Sequence, residues 1–178
     1  MSVPPRAEPT GAAELDAFVR TVKPHVRSAL ALARWITRKP QEAEDVVQEA
    51  YARAFTYFGS FRGGDGKRWF LSIVRNAAYA WLRARRAEEL VEPNEDDMVS
   101  PERSPEAQLI REVDAARLNA EIARLPLAFR EVLVLRELEE LSYKEIAEVV
   151  DAPIGTVMSR LSRARQMLQR ALLATEAR

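Results

Sequence analysis

Residues 141–170 decide the fold of this chain and read LSYKEIAEVVDAPIGTVMSRLSRARQMLQR. Ser142 followed three residues later by Glu145 is a capping box, which predicts that a helix begins at Tyr143. Asp151 and Pro153 then interrupt that helix, and Pro153 is expected to open the next one because proline is accepted in a first turn. The stretch therefore predicts two helices joined by a tight turn.

The second of these helices has two different faces. Apolar residues recur at positions 154, 157, 161, 164 and 168, a spacing that predicts one buried face. The opposite face carries small, polar and basic residues, together with one methionine: Gly155, Met158, Ser159, Ser162, Arg163 and Gln166. This pattern is typical of a helix-turn-helix, in which the second helix enters the major groove of DNA.

A helical hairpin with a solvated basic face would show a similar pattern and is the alternative. No carboxylate occurs between Ile154 and Leu173, so the arginines of this helix are unopposed. Solvated helix faces usually mix charges of both signs. The unmixed charge favours contact with nucleic acid.

Composition excludes several classes of function. The chain has 178 residues, no cysteine and one histidine, which excludes disulfides and thiolate chemistry. No metal-ligand spacing, phosphate-binding loop or catalytic constellation is visible, so we expect no catalytic residue, no metal and no cofactor. Without a signal peptide or an apolar run of roughly 20 residues, a cytoplasmic protein that does not insert into membranes is expected.

Charge is distributed unevenly along a chain whose net charge is zero. Residues 1–90 hold 15 basic against 10 acidic residues, and residues 142–178 hold 6 against 4. Residues 91–112 hold 2 basic against 7 acidic residues. Two basic modules separated by an acidic segment are therefore predicted.

The N-terminal part is periodic and helical after a proline-containing tail at residues 1–12, which is expected to be disordered. Helical periodicity runs over residues 14–37 with a bend at Pro24, and Pro40 is placed to open a helix over residues 41–58. The acidic outer side of that helix includes Glu42, Asp45 and Glu49. Acidic residues in a first turn suit the helix dipole without any partner, but Glu49 lies beyond it, so a docking face is a hypothesis here.

A glycine-rich loop precedes the next helix. Residues 59–66 contain four glycines and predict a mobile or sharply turned loop. In the helix at 67–86 the predicted buried residues are Phe70, Ile73, Val74, Ala77, Trp81 and Ala84. The predicted outward face carries Arg68, Arg75, Tyr79, Arg83 and Arg86, with Asn76 at its edge. A solvated arginine face is the alternative, but the loop and the aromatic favour single-stranded nucleic acid.

Residues 88–108 are acidic, contain prolines and offer almost nothing to bury, which predicts a flexible linker. Helices over about 109–125 and 127–139 follow, with Leu133, Val134, Leu138 and Leu141 expected in the core beneath the helix-turn-helix. The predicted fold is all-α, with two small helical domains at residues 13–87 and 109–174. The second is a four-helix domain that contains the helix-turn-helix.

In their order these pieces resemble a known family, the extracytoplasmic-function (ECF) sigma factors of bacterial RNA polymerase. Four stretches carry the resemblance: EAEDVVQEAYARAF (42–55), WFLSIVRNAAYAWLRARR (69–86) with the loop before it, LPLAFREVLVLRELEELSYKEIAEVV (125–150) and PIGTVMSRLSRARQML (153–168). The match covers about residues 14–172 and implies a transcription initiation factor.

The resemblance implies residue roles wherever the motifs match. It implies docking of the first acidic helix on the β′ clamp helices of core RNA polymerase through Glu42, Asp45, Gln48 and Glu49. It implies contact of the loop and following helix with the single-stranded, melted −10 element through Arg62, Arg68, Arg75, Asn76, Tyr79 and Arg83. It implies contact of the last helix with the duplex −35 element through Thr156, Met158, Ser159, Arg160, Arg163 and Arg165.

Further partners follow from the same resemblance. The linker would pass through the RNA-exit path, the helix before the recognition helix would meet the β flap, and a separate anti-sigma factor would usually supply regulation. Two residues depart from the family pattern, because members often carry a lysine where this chain has Met158 and an aspartate where it has Ala80. Met158 would remove one phosphate contact or replace it with an apolar one.

Two other classes of function are alternatives. A free-standing helix-turn-helix repressor or activator would bind palindromic duplex DNA without polymerase, but no dimerising heptad is visible to support it. An enzyme that acts on nucleic acid would need metal ligands or a general base, which the sequence does not offer.

Overall fold

The chain is helical throughout the part that the structure describes. The structure is a computed structural model that describes residues 11–89 and 109–176, and within these ranges it contains α-helices and two 3-10 turns but no strand. The α-helices are α1 (Ala12–Val22), α2 (Val26–Thr37), α3 (Pro40–Tyr57), α4 (Gly66–Glu89), α5 (Leu109–Arg124), α6 (Leu127–Glu137), α7 (Tyr143–Val150) and α8 (Ile154–Glu176). The all-α prediction is confirmed. We refer to α1–α4 as the N-terminal half and to α5–α8 as the C-terminal half.

Prolines set the boundaries of the first three helices as the sequence predicts. Pro24 lies in the 3-10 turn between α1 and α2, and Pro40 is the first residue of α3. The predicted tail and linker lie mostly outside the described residues. Their predicted edges are nevertheless helical, since α1 begins at Ala12 and α4 runs to Glu89.

An aromatic cluster holds α1 against α3. Phe18 is buried, and its ring centroid lies 5.0 Å from that of Tyr51, 5.2 Å from that of Phe55 and 5.3 Å from that of Phe58, all edge to face. Edge-to-face pairs add stabilisation beyond the buried area itself. The cluster fixes α3 with its apolar side inward, so that its acidic side faces out.

The start of α4 is capped and closely packed. Asp65 Oδ1 accepts hydrogen bonds from the backbone N–H groups of Lys67 at 2.9 Å and Arg68 at 3.3 Å. Gly66 lies so close to α1 that an added Cβ would stand 2.8 Å from Thr21 Cγ2. The position therefore has no room for a side chain.

The buried side of α4 differs in part from the predicted one. Leu71 and Ala78 are fully buried although the pattern left them out, because α4 packs against α7 as well as against α2 and α3. Ala84, predicted to be buried, is exposed. Ala78 is the last fully buried residue of α4 among those described, so the residues after it do not follow the predicted buried face.

The turn between α7 and α8 has the local chemistry that the sequence indicates. Ser142 Oγ accepts from Glu145 N at 3.3 Å and Glu145 Oε2 accepts from Ser142 N at 2.7 Å, which confirms the capping box. Asp151 ends α7 in the left-handed conformation with φ 50°. Pro153 precedes α8 rather than opening it, since its carbonyl accepts from Thr156 N at 2.9 Å as an N-cap residue does.

Two apolar residues assigned to the core are instead exposed. Leu138 is 54% exposed and Ile154 is 45% exposed, whereas Val157, Leu161 and Ala164 on the same predicted face as Ile154 are buried. Leu138 directly follows α6, which ends at Glu137 rather than near residue 139, and Ile154 is the first residue of α8. Periodicity predicts which face of a helix is buried, but it does not predict how far along that face the neighbouring helices extend.

The two halves pack directly against each other. Helix α4 lies against α7, and α2 lies against α6. Val74 of α4 and Ile146 of α7 are fully buried members of one continuous core. Part of the charged side of α4, at Lys67, Arg68 and Arg75, therefore faces the C-terminal half.

Candidate nucleic-acid interface

The acidic face of α3 is formed by three of the four residues predicted for polymerase docking. Asp45, Gln48 and Glu49 are exposed, and Glu49 accepts a hydrogen bond from Arg53 at 2.7 Å. Glu42 is set apart from them, because its side chain is 22% exposed and is paired with Arg85 of α4. The structure thus leaves an exposed face of three residues and gives Glu42 a contact within the N-terminal half.

The glycine loop forms an open cleft beside the start of α4. Gly63 with φ 83° and Gly64 with φ 98° adopt a conformation that favours glycine, which confirms a sharp turn. The cleft has a volume of about 290 Å³ and is lined in part by Phe61, Arg62 and Trp69. The rings of Phe61 and Trp69 lie 4.9 Å apart, so aromatic faces and a guanidinium group stand together at the loop.

Three cations of α4 are paired with carboxylates of the C-terminal half. Arg75 donates to both oxygens of Glu131 at 2.9 and 3.2 Å, so this pair is bidentate. Two further pairs surround it: Arg68 with Glu148 and Lys67 with Glu139, each at 2.8 Å. Two residues predicted for −10 contact, Arg68 and Arg75, therefore already hold anionic partners.

Tyr79 shares the environment of Glu131. The guanidinium carbon of Arg75 lies 4.4 Å from the centroid of the Tyr79 ring, a cation–π distance. Burial, followed by the negative charge of Glu131, raises the pKa of Tyr79 to about 12. For Arg75, burial lowers the pKa but the hydrogen bond and charge of Glu131 outweigh it, so the pKa is raised. Both groups keep their protonated forms at neutral pH.

The other residues predicted for −10 contact remain accessible. Arg62, Asn76 and Arg83 are exposed, at the glycine loop and along α4. The predicted set is therefore split, with one part open and the other covered by α6 and α7.

The outer face of α8 is open along its first three turns. Gly155, Met158, Ser159, Ser162 and Arg163 are exposed there, as their helical spacing predicts. Thr156 is half-buried, and its carbonyl accepts a hydrogen bond from Ser159 Oγ at 3.0 Å. The result is an exposed surface of small, polar and basic groups with one methionine.

Two of the predicted −35 residues point towards neighbouring carboxylates. Arg160 Nη1 lies 3.8 Å from Glu131 Oε1, and Arg165 donates to Glu137 at 2.7 Å. Glu131, with 1% of its side chain exposed, thus contacts one arginine from each half. Arg163 remains as the exposed arginine on the open face.

Within residues 11–89 and 109–176, no three or more histidine, cysteine, aspartate or glutamate side chains are arranged to hold a metal ion. None of the described helices is both long enough and apolar enough to cross a membrane. The exposed cations, amides and aromatic rings are suited to bind nucleic acid, and the exposed carboxylates are suited to bind a basic protein surface.

Sequence reasoning did not find the carboxylates that cover α4. Glu131, Glu139 and Glu148 lie 56 or more positions from their partners along the chain, and no local spacing connects them. Phe61 and Trp69 at the loop were also not singled out. Phe61 lies within the glycine-rich loop and Trp69 shortly after it, and aromatic residues so placed are a signal that would have indicated them.

Two family models match the chain. The model described as Sigma-70 region 2 matches residues 21–88, which span α2 to α4. The model described as Sigma-70, region 4 matches residues 115–168, which include the helix-turn-helix.

Several curated proteins are similar over most of their length. The RNA polymerase sigma-H factor of Pseudomonas aeruginosa is 36% identical over 166 residues, covering 88% of this chain and 86% of that protein. The ECF RNA polymerase sigma-E factor of Haemophilus influenzae is 35% identical over 151 residues, covering 78% of this chain and 77% of that protein.

Solved structures share the fold. The sigma factor RpoE from Bartonella quintana, in complex with the anti-sigma factor NepR, has a TM-score of 0.77 at 26% identity and covers 88% of this chain and 97% of that one. CnrH in complex with the cytosolic domain of CnrY has a TM-score of 0.62 at 26% identity, with 90% of both chains covered.

Proposed function

Because the chain belongs to the ECF group of bacterial RNA polymerase sigma factors, it is a promoter-recognising transcription initiation factor, and we propose that its two halves bind different promoter elements. Within the N-terminal half, a domain of residues 13–87 docks on core polymerase and holds the melted −10 element. Within the C-terminal half, a domain of residues 109–174 binds the −35 element, and residues 88–108 connect the two domains. Members of this family have no active site, and we propose the same for this chain, acting in the cytoplasm.

Docking on core polymerase is assigned to the acidic face of α3. Asp45, Gln48 and Glu49 are exposed together there, with no core role that requires their charge. Glu42 contributes by holding Arg85 and thereby α4 against α3. The chemistry fits a basic partner surface, for which the β′ clamp helices are proposed.

Contact with the melted −10 element is assigned to the glycine loop and α4. Arg62, Asn76 and Arg83 are exposed and supply phosphate and base-edge contacts. The Phe61–Trp69 pair lines a cleft of about 290 Å³ beside them, where an extruded base is able to stack. Arg68, Arg75 and Tyr79 join this surface once α6 and α7 move away, because carboxylates and DNA phosphates cannot occupy the same cations together.

Contact with the −35 element is assigned to the outer face of α8. The single observation that carries the proposed function is this exposed, carboxylate-free face at the start of the second helix of a capped helix-turn-helix. In that motif the N-terminal residues of the second helix reach the base edges. Thr156, Met158, Ser159 and Arg163 occupy these positions, with Arg160 and Arg165 at the flanks.

An anti-sigma factor is the proposed regulator. The RpoE chain from Bartonella quintana was solved in complex with the anti-sigma factor NepR, and the CnrH chain was solved in complex with the cytosolic domain of CnrY. Exposed apolar groups offer contacts for a partner of this kind, or for the β flap: Leu138 at 54% and Leu173 at 57% exposure.

Transcription in vitro from fragmented genomic DNA tests the proposal. Purified core polymerase with the wild-type protein is expected to produce start sites that core polymerase alone does not. Asp45→Lys combined with Glu49→Lys is expected to abolish them by reversing the docking charge.

Asp16→Lys is the control, because it reverses one carboxylate at an exposed position of α1 and makes half the charge change of the double variant. It is expected to leave the start sites unchanged. If no start sites appear, while the protein alone shifts a palindromic duplex, a free-standing regulator replaces the proposed function.

A further inference from the structure

Two apolar side chains are exposed in the first two turns of α8. Ile154 is 45% exposed and Met158 is 52% exposed. They are four residues apart and hence neighbours on the helix surface. Val157, Leu161 and Ala164 of the same helix are each at most 1% exposed, so the exposed pair lies outside the buried core.

The polar neighbours of this pair are engaged elsewhere. Ser159 Oγ donates to the carbonyl of Thr156 at 3.0 Å, within its own helix. Arg160 is directed to Glu131, at 3.8 Å, and Arg165 to Glu137, at 2.7 Å. Met158 is therefore the long, exposed side chain that is free to reach outward from the first two turns.

The chemistry of the major groove limits what such a side chain is able to meet there. The N-terminal residues of a recognition helix lie against base edges. The apolar group that a base pair presents in the major groove is the C5 methyl of thymine, whereas the other groups there are donors and acceptors of hydrogen bonds. An apolar pair at this position matches a methyl group and not a phosphate.

We propose that Met158, with Ile154 beside it, reads a thymine methyl group in the −35 duplex and is a specificity-determining residue of this chain. The inference rests on the proposed function of α8. Methionine suits the role because its unbranched, polarisable side chain adapts to irregular surfaces.

The experiment removes the thymine methyl group from the DNA and changes nothing else in the base pair. Holoenzyme is assembled from core polymerase and the full chain, and binding is measured on a promoter found in the transcription assay. Each −35 thymine is replaced in turn by deoxyuridine, which keeps the base pair and lacks only the methyl. At one or two adjacent positions, wild-type binding is expected to weaken roughly fourfold, the effect of burying one methyl group.

Met158→Ala is expected to bind the thymine and deoxyuridine promoters equally well at those positions. Met167→Ala is the matched control, since Met167 is an exposed methionine of the same helix beyond the open face, at 39% exposure. It is expected to retain the wild-type preference for thymine.

Three results would overturn the inference. One is a −35 element without thymine, another is equal wild-type binding to every deoxyuridine promoter, and the third is a thymine preference that survives in Met158→Ala. In each of these the holoenzyme still initiates, so the proposed function stands. Loss of initiation by the wild-type protein on unmodified DNA would instead remove the proposed function and the inference together.

Discussion

At the scale of single residues, Glu131 is the most consequential side chain of the contact between the halves. It is 1% exposed, receives two hydrogen bonds from Arg75 and lies near Arg160. A buried carboxylate is tolerated when cations and hydrogen bonds compensate its desolvation, and removal of one partner is costly. The stability of the whole contact is therefore expected to depend on this one charge.

Glu131→Gln is expected to lower the free energy of unfolding by about 3 kcal/mol, because it leaves the Arg75 cation without its buried counter-charge. Urea unfolding measures the effect. Glu137→Gln is the control, since that ion pair with Arg165 is about half exposed on both sides, and a loss below about 1 kcal/mol is expected. Equal losses in the two variants would contradict the assigned role.

Tyr79 is expected to report the same contact through its pKa. Its pKa is raised from 10.0 to about 12, so the contact favours the neutral phenol. The stabilisation it gives is complete below pH 10 and is lost as pH rises towards 12. Ultraviolet absorbance of the phenolate should show one of the four tyrosines titrating late.

Tyr79→Phe should remove the late step from that titration. Glu131→Gln should shift the step to lower pH, because part of the rise comes from the charge of Glu131. A wild-type titration without a late step would argue against the partly buried position of Tyr79 beside Glu131.

At the scale of the helices, local sequence predicts starts and stops better than it predicts burial. Ser142, Pro40 and the glycine loop carry their own local chemistry, and each marks a boundary that the structure retains. Leu138, Ile154 and Ala84 depend on where a neighbouring helix ends, which no periodicity records. The carboxylates that pair with α4 could likewise not be predicted from local sequence, since only the packing of α6 and α7 brings them to their partners.

The close approach of α4 to α1 gives a prediction at this scale. Gly66→Ala is expected to destabilise the fold by about 1–3 kcal/mol, because the new methyl group meets Thr21 Cγ2 at 2.8 Å and the Thr21 carbonyl at 2.9 Å. Thermal unfolding provides the measurement.

Gly155→Ala is the control, since nothing lies within 4 Å of a Cβ there. It should be neutral or stabilising by up to about 1 kcal/mol, from helix propensity alone. A Gly66→Ala protein as stable as Gly155→Ala would mean that α1 does not lie as close to α4.

At the scale of the whole molecule, the packing of the two halves against each other and the proposed DNA contacts exclude each other. Arg68 and Arg75 are held by Glu148 and Glu131 of the other half. The same cations are assigned to the melted −10 element. Assembly with polymerase and promoter is therefore expected to separate the halves.

Energy transfer between two dyes measures this separation. The chain has no cysteine, so Arg27→Cys and Gln169→Cys, both at exposed positions, place one dye on each half. Transfer is expected to be high in the free protein and to fall when core polymerase and promoter DNA bind. Transfer that stays constant on verified binding would contradict the expected separation.

A pair within the N-terminal half, Arg27→Cys and Arg53→Cys, serves as the control and should keep constant transfer. Adding Glu131→Gln to the inter-half pair should lower transfer before polymerase is present.

The pairing of Arg68, Arg75 and Lys67 with glutamates of the other half also bears on how the protein is distributed in a cell. Non-specific attraction to DNA comes from cations that displace condensed counterions from the phosphates. Cations already neutralised within the chain release none, and a chromosome offers on the order of a million or more competing sites. The unassembled protein, with a net charge of zero, is therefore expected to bind non-specific DNA less tightly and to remain available to polymerase.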